Sequence, residues 1–230
     1  MGAYYGYFMV AGLLSFVGMF VSQRFKAKFK KYSRIPIRAN RPGREIAEAM
    51  LRHYNIHDVN IVEARGFLSD HYNPLKKTIA LSPDVYHGRS VAAAAVAAHE
   101  CGHAVQHAEA YQMLQVRSAL VPIVNASARY QQWLLIIAFM TLSSFPQLML
   151  ITIAAFVATM LFSFVTLPVE FDASRRALAW LEGSNLTSGA EQDGAKDALW
   201  WAAMTYVSAA LSALVMVIYL VLQYMAATRD

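Results

Sequence analysis

The chain has 230 residues, of which 57% are hydrophobic and 15% charged, and its mean hydropathy is +0.34. Soluble domains are less apolar and about 25% charged, so this composition argues against a fully soluble protein and favours membrane-spanning segments. A formal net charge of +5 fits either a nucleic acid or a membrane surface as partner, and the position of the charges decides between them. The single cysteine excludes an internal disulfide.

Residues 1–23 contain no charged side chain and are followed by a dense run of Lys and Arg. A cleavable signal peptide carries its positive charge before the apolar run. We therefore predict a retained anchor whose N-terminus lies outside and whose basic end lies in the cytoplasm. The alternative for the basic run is a nucleic-acid-binding arm. We favour contact with anionic lipid, the commoner role of juxtamembrane basic clusters, and predict no nucleic-acid partner.

The next part of the chain has the pattern of a small α+β domain. Arg44–Tyr54 has helical spacing, and Asn55 is suited to end that helix in the left-handed conformation. Val59–Ala64 and Lys77–Leu81 read as short strands with turn residues between them.

A capped helix is predicted from Val91 to Ala108, with Ser90 as its N-cap. It contains the sequence HECGH, in which His99 and His103 lie four residues apart and therefore share one helical face. Two imidazoles in this arrangement can bind one zinc ion, and Glu100 is placed beside them to act on a water molecule. The alternative is a pair of helix histidines with hydrogen-bond partners and no metal.

A catalytic zinc needs three protein ligands and an open position. His107 continues the same face but lies about 12 Å from His99 along the helix axis, so we expect it to pack or hydrogen-bond and not to bind the same ion. Cys101 points to another face and is expected to be a small packing residue. Gly102 leaves room for another element to approach the helix.

Two long uncharged runs follow, Leu148–Leu167 and Trp201–Ala227, each long enough to cross a bilayer. Between Ala119 and Phe145 only the second half is strongly apolar, and we predict a helix whose second half enters the lipid. The predicted division of the chain is an N-terminal anchor (1–23), a cytoplasmic metallopeptidase-like domain (24–118), a transmembrane hairpin (119–167), a cytoplasmic segment (168–199) and a C-terminal span (200–230). All Lys and Arg residues except Arg229 then fall in cytoplasmic or inner-boundary segments, as the positive-inside rule requires.

Glu170 is the candidate third ligand. It lies three residues past the predicted third span, and two spans separate it from the histidine helix, so both lie on the same side of the membrane. Pro168 lacks an N–H and can begin a new helical segment or kink the old one. The alternative for Glu170 is a membrane-boundary carboxylate paired with Arg175 or Arg176.

Three segments carry a resemblance to a known family: "HYNPLKKTIALSPDVYHGRSVAAAAVAAHECGHAVQHA", "RSALVPIVN" and "TLPVEFDASRRAL". They resemble the YugP-type membrane zinc metallopeptidases of bacterial membranes, and the similarity extends over nearly the whole chain. The resemblance implies Zn²⁺-dependent hydrolysis of peptide bonds, with His99 and His103 as ligands and Glu100 as the catalytic carboxylate. A more general resemblance to metallopeptidases implies that the predicted strand Lys77–Leu81 is the sheet edge along which an extended peptide lies.

The stretch around Glu170 also resembles the acidic motif of gluzincin membrane proteases, in which a Glu on a second helix is the third zinc ligand. In that motif an Asp four residues later orients a ligand histidine. Ser174 stands at this position here. The orienting carboxylate is therefore absent or supplied from elsewhere, with Asp172 as one candidate.

The sequence thus predicts an α-helical membrane protein with about four transmembrane helices and a small α+β zincin-like catalytic domain. Its predicted function is that of a zinc endopeptidase of the bacterial inner (plasma) membrane, cleaving peptides or membrane proteins at the cytoplasmic surface with Glu100 as general base. The alternative is a non-catalytic assembly or chaperone factor stabilised by zinc, but such a site needs no carboxylate at Glu100 and tends to be closed by a fourth protein ligand. A transporter is disfavoured because the spans contain no Asp, Glu or Lys.

Overall fold

A computed structural model describes residues 2–229, with side chains from residue 5. This part of the chain is mostly helical and contains one three-stranded sheet. Its helices are α1 (Gly2–Tyr32), α2 (Gly43–His53), α3 (Pro83–Tyr86), α4 (Val91–Ala108), α5 (Gln112–Thr141), α6 (Gln147–Gly183) and α7 (Ala190–Ala227). Its strands are β1 (Asn60–Glu63), β2 (His71–Asn73) and β3 (Thr78–Leu81).

The chain folds into two compact units. One comprises residues up to Ser22, Val116–Leu167 and residues from Thr205 onwards; the other comprises Gln23–Gln115 and Pro168–Met204. Helices α1, α5, α6 and α7 begin in one unit and end in the other. Below, the first is called the apolar unit and the second the histidine unit.

Three helices of the described chain, α1, α6 and α7, are long and apolar enough to cross a membrane. Helix α5 is not among them, so the structure supports three candidate spans and the fourth stays a prediction. The second half of α5 nevertheless belongs to the core of the apolar unit, where Leu135 and Ala138 are buried together with Met149, Met216 and Leu220. Elsewhere on the same half-helix Trp133 is 65% exposed. This outward apolar surface is what contact with lipid requires.

The histidine unit is organised around α4, which is buried along most of its length. Its alanine-rich first half lets neighbouring helices approach closely, and α2 packs on it through Ile46 and Met50. The Ser90 hydroxyl accepts the Ala93 N–H at 3.2 Å, as predicted for an N-cap. Asn55 has φ +54°, the left-handed conformation predicted after α2.

The sheet has the order β1-β3-β2, with β1 parallel and β2 antiparallel to β3. The expectation that Lys77–Leu81 forms the edge for a bound peptide is therefore wrong, because β3 is paired on both sides. The edges are β1 and β2. Strand β2 lies in a stretch whose composition predicts a turn. The strand is not predicted from the sequence because three residues are too few to show the alternation of a half-buried strand.

Helix α6 is continuous from Gln147 to Gly183 and passes through Pro168. The proline therefore does not start a new helix, and it removes the backbone hydrogen bond to the carbonyl of residue 164. Consequently the apolar run and the site residues that follow it belong to one continuous helix.

Candidate metal centre

His99 and His103 project from one face of α4, as their spacing predicts. The centres of their rings are 4.8 Å apart and the ring planes are nearly perpendicular, at 83°. His103 is buried, and only 13% of the His99 side chain is exposed. One turn of helix thus brings two imidazole nitrogens to the same small volume.

Glu170 reaches this volume from α6 because the two helices meet at a glycine. A Cβ atom on Gly102 would lie 2.6 Å from the backbone carbonyl oxygen of Ala173, so only glycine allows this approach. Glu170 lies three residues before Ala173, on the adjacent turn of α6. Its Oε2 is 3.3 Å from His99 Nε2 and 3.6 Å from His103 Nε2.

These separations fit a zinc site. Two ligand atoms bound at about 2.0–2.2 Å to a tetrahedral zinc ion lie about 3.3–3.6 Å from each other. Candidate ligand atoms of His99, His103 and Glu170 all lie within 4.8 Å of one another, and this is the metal-capable group found among the described residues. Two imidazoles and one carboxylate are also donors that zinc accepts in catalytic sites.

Glu100 lies next to this group and is buried, with 7% of its surface exposed. Burial raises the pKa of Glu100, although the neighbouring His99 and His103 act in the opposite direction. A raised pKa brings a carboxylate closer to the range in which it can both take up and release a proton near neutral pH. Burial lowers the pKa of His103, but hydrogen bonding to Glu170 and the charges of Glu170 and Glu100 outweigh this and raise it.

His107 has a different partner: its Nδ1 lies 2.8 Å from the hydroxyl oxygen of Tyr72 on β2. It is not part of the metal-capable group. Cys101 is fully buried in the core, with its thiol 3.5 Å from the Ala47 carbonyl oxygen. As the spacing along α4 predicts, His107 lies too far along the helix to join the group, and Cys101 lies on another face.

Each histidine of the group has a hydrogen-bond partner on its other nitrogen. Ser174 Oγ lies 3.1 Å from His99 Nδ1. Ser174, four residues after Glu170, thus contacts the ring nitrogen of His99 that does not face Glu170. It can accept the Nδ1–H, which leaves the lone pair on the nitrogen that faces Glu170.

Gln106 orients His103 in the same way. Its Oε1 lies 3.0 Å from His103 Nδ1, while its Nε2 donates to the Val169 carbonyl at 2.8 Å and to Asp172 Oδ2 at 2.9 Å. Because the last two partners only accept hydrogen bonds, the orientation of the amide is determined, and Oε1 must face the histidine. His103 is then protonated on Nδ1, and its Nε2 is available as a ligand atom.

Asp172 accepts a hydrogen bond from Gln106, which in turn contacts His103, and Arg175 and Arg176 both pair with Asp172. Both arginines that the sequence offers as partners of Glu170 therefore have Asp172 as an ion-pair partner. The sequence does not predict the roles of Ser174 and Gln106. For Gln106 a signal is present, since it is a polar residue one turn after His103 in an otherwise apolar helix.

Comparison with known proteins places this arrangement in a family. The family model described as "Putative neutral zinc metallopeptidase" matches residues 7–225. A curated relative, the "Putative membrane protease YugP" of Bacillus subtilis (strain 168), is 39% identical over 201 residues, which cover 87% of each chain. No solved structure gives a significant match. The chain belongs to the neutral zinc metallopeptidase family that this model describes.

Proposed function

We propose that this protein is a zinc-dependent endopeptidase of the membrane, in which His99, His103 and Glu170 hold Zn²⁺ and Glu100 is the general base. The observation that carries the proposal is the convergence of two imidazoles and one carboxylate at separations that a tetrahedral zinc ion requires. The family of the chain and the name of its relative point in the same direction.

The chemistry follows from the donor set and from Glu100. A zinc ion in this position would polarise the scissile carbonyl and make a water molecule more acidic. Glu100 takes a proton from the attacking water and passes it to the leaving amine, which requires a carboxylate that is neither strongly acidic nor permanently protonated. Ser174 and Gln106 hold the two imidazoles in the tautomer that leaves Nε2 free to bind metal.

The number of ligands favours catalysis over a purely structural role. The metal-capable group in the described chain has three members, whereas a structural zinc site is normally closed by a fourth protein ligand. A structural zinc site also does not need a buried, non-ligating carboxylate such as Glu100 beside its three ligands. The assembly or chaperone alternative therefore explains fewer features of the site.

The substrate is proposed to bind along β2. This strand is an edge of the sheet and contacts α4, so an extended peptide could pair with its backbone next to the site. Edge pairing recognises backbone and not a particular side chain, which suits an endopeptidase acting on flexible segments.

The site is proposed to face the cytoplasm at the inner surface of the bacterial plasma membrane. Glu170 lies only three residues beyond the uncharged run Leu148–Leu167, within the same helix. The basic residues that follow the apolar part of α1 support this orientation. Membrane proteins and membrane-bound peptides are the expected substrates.

The experiment is to purify the full-length chain in detergent, measure bound metal and compare peptide cleavage by wild type and Glu100→Gln. The variant is expected to keep its zinc and to lose about 10²–10⁴-fold in turnover, the usual effect of losing an acid–base group. Glu48→Gln, a partly exposed position on α2 paired with Arg44, serves as a control and should retain activity. Near-normal turnover by metal-loaded Glu100→Gln would refute the mechanism. Absence of cleavage by zinc-loaded wild type would favour the non-catalytic alternative.

A further inference from the structure

A cavity of about 900 Å³ lies in the histidine unit and contains none of the candidate metal ligands. Its walls come from the last turns of α1 and the residues after it, from the loop that carries Phe67, and from the segment that leads into α4. Its volume is within the range of small-molecule binding sites, about 300–1,000 Å³.

The cavity is strongly cationic. Lys26, Lys30, Arg34 and Arg89 line it, against one carboxylate, that of Asp84. None of these five side chains takes part in an ion pair within the described chain. The positive charge is therefore not neutralised by the protein itself.

Lys28, only two residues from both cavity lysines, shows the contrast. Its ammonium group pairs with Asp197 at 2.7 Å, on a different face of α1. Lys26 and Lys30 lie one turn apart and therefore share the face that lines the cavity. Lys28 thus forms an ion pair within the protein, whereas Lys26 and Lys30 are available to a ligand.

An aromatic wall accompanies the charges. The Phe67 ring is 56% exposed and packs edge-on against the buried Phe29, with ring centres 5.5 Å apart. The residues on either side of it, Gly66 and Leu68, have φ +107° and +54°. A loop with two left-handed residues therefore presents an apolar ring beside a group of cations, which suits a ligand that is both anionic and apolar.

The position along α1 indicates which ligand this is. The charge-free run ends at Gln23 within α1. At 1.5 Å per residue, Lys26 and Lys30 lie about 5 and 10 Å further along the axis. The lipid headgroups extend about 5–7 Å beyond each side of the hydrocarbon core, so Lys26 lies at their depth. Lys30 lies one turn beyond them, and its long side chain leans toward the N-terminus of α1, that is, back toward the headgroups.

We propose that this cavity binds an anionic phospholipid of the adjacent leaflet, with the phosphate between Lys26, Lys30 and Arg34 and the apolar part of the lipid against Phe67. The cavity also borders the junction that leads into α4. There the Ile37 N–H donates to the Arg89 carbonyl at 3.0 Å and the Val91 N–H to the Ile35 carbonyl at 2.9 Å. Bound lipid therefore stabilises the segment that precedes the histidine helix. Binding itself does not depend on peptidase activity.

The test uses full-length protein in detergent, with phosphatidylglycerol or phosphatidylcholine added. Lipid retention is measured by native mass spectrometry and stability by thermal unfolding. Wild type is expected to retain phosphatidylglycerol in preference to phosphatidylcholine and to be stabilised by it. Each cation near an anionic surface contributes about fivefold to binding, so a variant carrying Lys26→Gln, Lys30→Gln and Arg34→Gln should lose about 100-fold.

A matched control removes the same charge outside the cavity, through Arg38→Gln, Arg41→Gln and Arg52→Gln, and should retain the preference of wild type. Phe67→Ser keeps every charge and is expected to weaken phosphatidylglycerol retention, which provides a second test if the triple cavity variant does not fold. Equal retention of the two lipids by wild type would overturn the proposal. So would equal losses in the two triple variants, or a preference of wild type for a single-stranded oligonucleotide or inorganic phosphate over phosphatidylglycerol.

Discussion

Gly102 of α4 and Ala173 of α6 meet backbone to backbone, so closely that a Cβ atom on the glycine would lie 2.6 Å from the alanine carbonyl oxygen. This contact determines how far Glu170, one turn away on α6, stands from the two histidines. The absence of one side chain on α4 is therefore a condition for the geometry of the site.

Gly102→Ala is expected to destabilise the protein by about 1–3 kcal/mol, the usual cost of overpacking, and to weaken zinc binding because α6 must move. Gly183→Ala is the matched control, since a methyl group on that helical glycine would have no neighbouring atom within 4 Å. It should be neutral or stabilising by up to about 1 kcal/mol. Thermal unfolding and metal content check both variants. Equal behaviour of the two would show that the contact is not tight.

Removal of the third ligand should abolish stoichiometric zinc binding. We expect Glu170→Ala to lose both metal and activity, because two histidines alone do not make a catalytic zinc site. His107→Ala removes a hydrogen bond and a ring contact with Tyr72, both away from the metal-capable group, and should keep its zinc. Metal analysis of the purified variants, with activity alongside, is the measurement. Loss of zinc in His107→Ala with retention in Glu170→Ala would reverse the assignment.

Gln106→Leu should lower zinc affinity by about 10–100-fold, the range found when a partner of a metal-bound histidine is removed. The reason is that His103 loses the acceptor for its Nδ1–H and can rotate or change tautomer. Competition with a chelator of known affinity measures the effect, and thermal unfolding without metal separates it from a general loss of stability. Gln115→Leu is the control, since the amide of that exposed glutamine donates to the Ala110 carbonyl. Unchanged zinc affinity in Gln106→Leu would contradict the proposal that Gln106 orients His103 for zinc binding.

A substrate held at the membrane should be cleaved faster than the same substrate in solution. The expectation rests on Glu170, which lies within α6 directly after its uncharged run. The measurement compares one peptide, free and attached to a lipid anchor, with the enzyme reconstituted in vesicles. Tethering raises the effective concentration to the mM range for short flexible linkers, so the advantage should be largest at low peptide concentration. Equal rates at every concentration would contradict a site close to the bilayer.

The sequence predicted those features that depend on neighbouring residues in the chain. The histidine helix was predicted correctly from Val91 to Ala108, because its cap and its periodicity are local. The four-residue spacing of His99 and His103 predicted that both side chains lie on one face of that helix. The uncharged runs predicted the three candidate spans. The chain order places Glu170 on the same predicted side of the membrane as the histidines, and the resemblance of its surrounding residues to the gluzincin acidic motif implies its role as third ligand.

Other features depend on contacts between distant segments, and only the tertiary structure decided them. Strand β2 has three residues, and its role as an edge follows from pairing with β3. Ser174 carries no sequence signature of a hydrogen bond to histidine, and the polarity of Gln106 does not by itself identify its partner. Ser174 reaches His99 because Gly102 lets α6 approach α4. Gln106 lies on α4 itself, but its amide is oriented toward His103 by Val169 and Asp172 of α6. Local periodicity reports which face of a helix is apolar, but the distance between two helices is determined by the side chains that both bring to their contact.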